Sequence, residues 1–254
     1  MKLTIRGYEP LIIPKEAIVP MKGSFDGQTP YIAKVAARWK QKSYIEKKLP
    51  LKILCLESIR DRAEAEGKFQ SYSDPMAGIG ISARIFGQKR FKFLNDLDVG
   101  CVQVLKRNFH AVADPPITSY DIMTADLSPA GMVFLDFNDF TMKRCLGKYR
   151  GVMGRAFETA KTFLVINDCS PFYLRYGPAA FEVYSKLMES NIKSVGDYFR
   201  QAAVWYKKYG WHLIQVNYFS ETSFLLLSKR KSKLWLNDMR TVSAPAGMIK
   251  VEED

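Results

Sequence analysis

Four aspartates, Asp74, Asp96, Asp121 and Asp136, follow one another through the middle of this 254-residue chain, each closing a stretch of strand-like composition. Asp74 opens the turn DPMAGIG (residues 74–80), where Gly78 and Gly80 remove side chains and let the backbone approach a ligand at a helix N-terminus. Asp96, 16 residues after Gly80 in FKFLNDLD, stands where a carboxylate accepts both hydroxyls of a ribose. Asp121, with Ile122 beside it in ITSYDIMT, is placed to meet the edge of a base, and Asp136 ends GMVFLDF, the most apolar stretch of the four. No GK[ST] follows the turn, and Ala83 stands where a third glycine belongs. That argues against a P-loop and weakens a dinucleotide fingerprint.

Such residues converge only if the strands they end lie side by side and parallel, with ligands beyond their carboxyl ends. The pattern predicts this order. A short strand at 69–73 enters the turn, and a helix starts at Ile81. A strand at 91–98 precedes a helix over 99–112 with an apolar stripe at Val99, Val102, Leu105 and Phe109. Strands at 117–124, 131–137 and 162–168 follow, with helical regions at 141–160 and 178–209, the second interrupted near Gly196. WHLIQVNYF (211–219) and SFLLLSKR (223–230) are separated by three residues, a link that permits a hairpin and forbids a crossover helix. The expected fold is α/β, a Rossmann-like doubly wound sheet, mostly parallel, closed by one antiparallel strand. Residues 1–66 read as a basic N-terminal arm and helical extension broken near Pro50, 67–233 as the sheet domain, and 234–254 as a mobile C-terminal tail.

The series DPMAGIG, FLNDLD, YDIMT and LDFND, with the final hairpin, resembles the ordered motifs of class I S-adenosylmethionine-dependent methyltransferases over about residues 69–230. NDLDVGCVQVLKRN is similar to the corresponding segment of RNA methyltransferases, including the tRNA guanine-N2 enzymes. The resemblance implies S-adenosylmethionine as cofactor, its methionine part lined by Ala77, Gly78 and Gly80 and its amino group faced by Asp74. It implies Asp96, with Leu97 alongside, for the ribose hydroxyls, and Asp121 with Ile122 for adenine. Asp136, with Asn138 and Asp139, would lie beside the methyl group and the acceptor as catalytic residues. Methyl transfer is an in-line displacement, so the protein mainly positions the acceptor and accommodates one proton. Carboxylate and carbonyl acceptors such as Asp136 and Asn138 suit an exocyclic amine. Amino-methylating enzymes carry [DN]PP[YF] or DP[FY]G after the fourth strand, and this chain has DFND. The missing proline leaves a second reading, a methyltransferase fold that binds nucleic acid or a protein partner without catalysis. The DPP at 114–116 precedes the third strand and reads as a turn.

Charge bears on the substrate. The chain has 38 basic and 26 acidic residues, a net charge of +12, which points to a polyanionic partner, and the resemblance to RNA methyltransferases implies RNA in preference to DNA. One basic cluster comprises Lys34, Arg38, Lys40, Lys42, Lys47, Lys48 and Lys52, interleaved with Tyr31, Trp39 and Tyr44, which are expected to stack on bases. A second lies between Lys207 and Lys233 and includes Lys229, Arg230 and Lys231. The four cysteines are widely spaced and the chain has two histidines, so no metal site is expected and the thiols read as reduced and buried. No apolar run approaches the length of a membrane span, and MKLTIRGYEP has no apolar signal core. The expected location is cytoplasmic.

Overall fold

The computed structural model describes residues 1–18, 31–67, 69–87, 90–109, 117–124, 127–136, 150–168, 178–219 and 222–253. These form two compact units. The first comprises 1–57, 72–128 and 243–254; the second comprises 58–71 and 129–242. The units interleave along the chain, and their boundaries depart from the expected 1–66, 67–233 and 234–254.

In the first unit, β1 (Lys2–Ile5) pairs antiparallel with β2 (Leu11–Ile12) on one side and with β11 (Ile249–Glu252) on the other. The C-terminal stretch is therefore not a loose tail: its last strand is paired residue by residue with the first strand of the chain. β3 (Tyr72–Asp74), β4 (Phe91–Asn95) and β5 (Ile117–Thr118) run parallel in that order. The third strand is shorter than the expected 117–124, because Asp121 starts a turn: its Oδ1 accepts the Met123 amide at 2.9 Å and its carbonyl the Thr124 amide at 2.9 Å.

Helices α1 (Lys15–Ile18), α2 (Tyr31–Trp39) and α5 (Val99–Phe109) belong to the same unit. A Cβ on Gly100 would stand 2.6 Å from both the Ala17 carbonyl and Ile32, so glycine permits the close approach of α1 and α2 to α5. Asp98 caps α5, accepting the Cys101 amide at 3.0 Å, and reaches the Ile32 amide at 3.4 Å. Asn108, at the other end of α5, accepts from the Ile12 amide at 2.7 Å and donates to the Ile12 carbonyl at 2.8 Å. The N-terminal residues are thus built into the first unit and are not a free arm. The break in the N-terminal helical extension falls at 40–41, ahead of Pro50. A π-helical turn (Tyr44–Lys48) then runs directly into α3 (Leu49–Gly67), with Pro50 as its second residue.

In the second unit, β6 (Ala130–Asp136) and β7 (Ala160–Asp168) are parallel, β9 (Thr222–Ser228) is antiparallel to both β7 and β8 (His212–Phe219), and β10 (Trp235–Asp238) lies parallel to β8 at the edge. The two strands after residue 210 form the expected hairpin, with Phe219 opposite Thr222. β10 was not expected. Residues 130–135 are buried throughout, as a parallel strand covered on both faces requires. The helices are α4 (Ile81–Phe86) in the first unit, and α6 (Arg150–Thr159), α7 (Pro178–Leu187) and α8 (Val195–Lys207) in the second. The break between α7 and α8 lies at 188–194, ahead of Gly196, and Ser194 fixes the new start by accepting the Asp197 amide at 3.0 Å.

Candidate functional site

The turn after β3 is shaped by two glycines in the left-handed region, Gly78 at φ 54° and Gly80 at φ 87°. A Cβ at Gly80 would fall 2.5 Å from the Phe109 ring and 3.0 Å from Leu105. The absent side chain at Gly80 therefore serves the packing of the turn against α5, which corrects the expectation that it clears space for a ligand. Gly78 plays a different part: its amide donates to Asp96 Oδ2 at 2.9 Å, and the Asp98 amide donates to Asp96 Oδ1 at 2.9 Å. Asp96 is thereby oriented by two backbone donors from different segments while remaining half-buried, at the place predicted for it.

Asp74 departs from its predicted role. It is fully buried; Oδ2 accepts the Tyr72 hydroxyl at 2.6 Å and the Ser82 hydroxyl, and Oδ1 accepts the Met76 amide at 3.1 Å. Donors two residues before it and eight after it draw the carboxylate inward, so Asp74 braces the turn rather than presenting itself to a ligand amine. Ala77 is buried beside it, with its amide bonded to the Asn95 carbonyl at 2.8 Å.

The residue that ties these parts together was not among the predicted site residues. Asn95, buried at the end of β4, donates to the Pro75 carbonyl at 3.0 Å and the Tyr120 carbonyl at 2.9 Å. Its Oδ1 accepts the Thr118 hydroxyl at 2.8 Å and the Tyr120 amide at 2.8 Å. One amide thus joins the ends of β3, β4 and β5. The signal in the sequence was a polar residue closing FKFL, directly before Asp96.

Around this junction the surface is apolar where apolar surface needs a reason. Leu97, Val99 and Tyr120 are exposed large hydrophobic side chains. The Leu97 and Tyr120 loops are held near each other, with the Asp96 amide on the Thr118 carbonyl at 3.3 Å and the Ser119 hydroxyl on the Leu97 carbonyl at 3.4 Å. Asp121 is exposed and Ile122 half-buried in the same loop. Two apolar walls flanked by two anchored carboxylates form a surface suited to a nucleoside, with hydroxyls at one end and an amino group at the other.

In the second unit, Asp136 is half-buried at the end of β6, and Asn167, one strand over, donates from Nδ2 to its Oδ1 at 2.6 Å. The Asn167 carbonyl oxygen accepts the Thr222 hydroxyl, which fixes the orientation of the amide. Asp168 is fully buried and accepts the Tyr198 hydroxyl at 2.7 Å. Sequence reasoning missed Asn167; its signal was again a polar residue closing an apolar strand, TFLVIN. Asn138 and Asp139, the other two predicted catalytic residues, lie outside the described residues, as do Phe137, Phe140, Cys145, Cys169 and the DPP at 114–116.

Of the predicted nucleic-acid contacts, Lys34, Arg38, Lys40, Lys42, Lys47 and Lys48 are exposed in the first unit, and Lys229, Arg230 and Lys231 in the second. Trp39 is corrected: it is 2% exposed and packs in the core of the first unit, where no base can stack on it. Lys40 pairs with Glu253 at 3.3 Å and Lys42 with Glu46 at 3.8 Å.

Cys55 and Cys101 are buried, and burial pushes both thiols well above their ordinary range, with the charges of Asp96 and Asp98 adding to the effect at Cys101. Neither is a nucleophile at neutral pH. Among the described residues no cluster of His, Cys, Asp and Glu could hold a metal ion, and no helix is long and apolar enough to cross a membrane.

Strand ends, a glycine turn after β3 and an anchored acid after β4 match the class I methyltransferase fold, an α/β fold with a mostly parallel sheet. Solved structures agree. The chain is similar to magnesium protoporphyrin IX methyltransferase from Synechocystis PCC 6803 with bound SAH, at a TM-score of 0.52 and 11% identity, covering 78% of this chain and 95% of that one. The same enzyme with bound SAM gives a TM-score of 0.50 at 11% identity, over 83% of this chain and 100% of that one. At that identity the likeness is one of fold. No family model matches the sequence, and no curated protein matches it.

Proposed function

We propose that this protein is an S-adenosylmethionine-dependent methyltransferase acting on nucleic acid, RNA in preference to DNA, with a base nitrogen as methyl acceptor. The observation that carries the reading is the Asp96 carboxylate, pinned by the Gly78 and Asp98 amides beside the exposed Leu97 and Tyr120. Those residues fit the adenosine half of the cofactor: Asp96 for the ribose hydroxyls, Leu97 and Tyr120 for the faces of adenine, and Asp121 with Ile122 for its edge. The crystallised neighbours with bound SAM and SAH support the same choice.

When bound, the sulfonium cofactor supplies an electrophilic methyl group and leaves as a thioether. The chain itself must orient the acceptor and receive the proton that the nitrogen gives up as the new N–C bond forms. We assign that proton to Asp136, a carboxylate half-exposed at a strand end and held in one orientation by the Asn167 amide. The basic surface then serves the phosphate backbone. The test is transfer of labelled methyl from S-adenosylmethionine to separate RNA, DNA and protein pools, followed by nucleoside analysis. Label in an N-methylated base of RNA is expected. Label confined to protein, or no label in any pool, contradicts the proposal.

A further inference from the structure

The two basic clusters differ in what surrounds them. In the first, the indole expected to stack on bases is in the core, and two of the lysines are paired with carboxylates. The second cluster, by contrast, surrounds an aromatic group that reaches the surface. Helix α8 ends at Lys207, and Gly210, at φ 76°, turns the chain so that the Trp211 amide reaches back to the Tyr206 carbonyl at 3.2 Å. This turn buries Trp211 completely and leaves Tyr209 48% exposed.

Tyr209 is held from two sides. Its ring stacks on Phe157 at 5.1 Å with 23° between planes, and it lies 4.7 Å from the Trp205 ring. Lys229 Nζ sits 4.0 Å over the Trp211 ring, and its partial burial lowers its pKa. Lys207 and Lys208, exposed, directly precede Tyr209 in the chain, and among the described residues no carboxylate pairs with either. A preorganised aromatic face among unpaired cations matches a ligand with both π-faces and regularly spaced negative charge.

We propose that this aromatic and basic surface, centred on Tyr209, docks single-stranded nucleic acid, one base stacking on Tyr209 while Lys207 and Lys208 take phosphates. It deepens the proposed function, since it rests on nucleic acid as the acceptor. It lies at the start of β7 and β8, the opposite end of the strands from Asp136, Asn167 and Asp168. Nine residues of β7 separate the two ends, roughly 26 Å at the rise of a strand. The surface therefore holds a part of the substrate remote from the atom that reacts.

The experiment titrates a labelled single-stranded 12-mer, and a duplex of the same length, with the full chain at several salt concentrations. Tyr209→Ala is expected to weaken single-strand binding by roughly 5- to 100-fold with an unchanged melting temperature, and Tyr209→Phe to restore it. The double variant Lys207→Glu, Lys208→Glu is expected to weaken binding and to flatten the dependence of log K on log salt by about 1.4, two phosphate contacts for a single strand. Undiminished binding by Tyr209→Ala, or equal affinity for duplex and single strand, overturns the proposal. Calorimetry with S-adenosylmethionine on the same samples separates the two claims. A wild type that binds no cofactor sinks the methyltransferase reading alone, whereas a Tyr209→Ala variant that binds single strands as tightly as a cofactor-binding wild type sinks the docking surface alone.

Discussion

The strand ends of the first unit and those of the second carry the same residue types and use them differently. In the first, Asp74 is consumed by Tyr72, Ser82 and Met76, while Asp96 is anchored by backbone amides and stays half-exposed. In the second, Asp168 is buried against Tyr198, while Asp136 accepts from the Asn167 side-chain amide and stays half-exposed. Each unit thus has a buried carboxylate that builds the fold beside a less buried one that is offered outward. An asparagine at the preceding or neighbouring strand end, Asn95 or Asn167, sets the position of the offered one. Both offered carboxylates are held by donors of fixed orientation: the Gly78 and Asp98 amides at Asp96, and the Asn167 side-chain amide at Asp136.

The largest expected effect breaks that comparison on the acceptor side. Asp136→Ala is expected to lower kcat for methyl transfer by about 10²–10⁴-fold, the range of general acid–base catalysis, while cofactor affinity and melting temperature hold. Steady-state kinetics with saturating cofactor check it. Next is Gly80→Ala, which places a methyl group 2.5 Å from Phe109 at a positive φ. Strain and overpacking together are expected to cost about 3 kcal/mol in urea unfolding, a loss a surface glycine would not show.

The paired asparagines sharpen the contrast. Asn95→Ala removes partners from four groups at two neighbouring strand ends and is expected to cost about 2 kcal/mol of stability. Asn167→Ala is expected instead to lower kcat roughly tenfold, through a less well oriented Asp136, and a purely structural Asn167 would leave the ratio of kcat to folded protein unchanged. The smallest effect is at the cap of α8, the helix that carries the Tyr209 surface. Ser194→Ala is expected to cost about 1 kcal/mol. The Asp197 carboxyl is held below its usual range, first by the Ser194 hydroxyl. A depressed carboxylate contributes stability above its unfolded pKa and loses it as pH falls through the folded value. The melting-temperature gap between wild type and Ser194→Ala is therefore expected to persist at neutral pH and to narrow as the pH falls below the ordinary aspartate range.

Much of the frame was legible from local pattern. The buried stripe of α5 at Val102, Leu105 and Phe109, though not Val99, which is exposed, the buried runs of β6 and β7 and the short link in the β8–β9 hairpin are all carried by residues close in sequence. What was not legible depends on distant partners. β11 is four residues, IKVE, whose strand character comes from pairing with KLTI at the other end of the chain. β10, WLND, is equally short and takes its place from β8. Trp39 and Asp74 show the same limit in side chains: spacing put them at useful positions, and packing decided that both point inward. Asp96 was legible because its position after β4 and its exposure agree. Its anchoring by Gly78 was not, since that bond depends on the left-handed turn.

The central claim is that Asp96 and its surroundings hold the adenosine half of S-adenosylmethionine, and isothermal titration calorimetry of the full chain with S-adenosylmethionine and S-adenosylhomocysteine tests it most directly. One site per chain is expected for each, weakened roughly 10- to 100-fold in Asp96→Ala at unchanged melting temperature. Absence of binding by both compounds, or equal binding by wild type and Asp96→Ala, would contradict it.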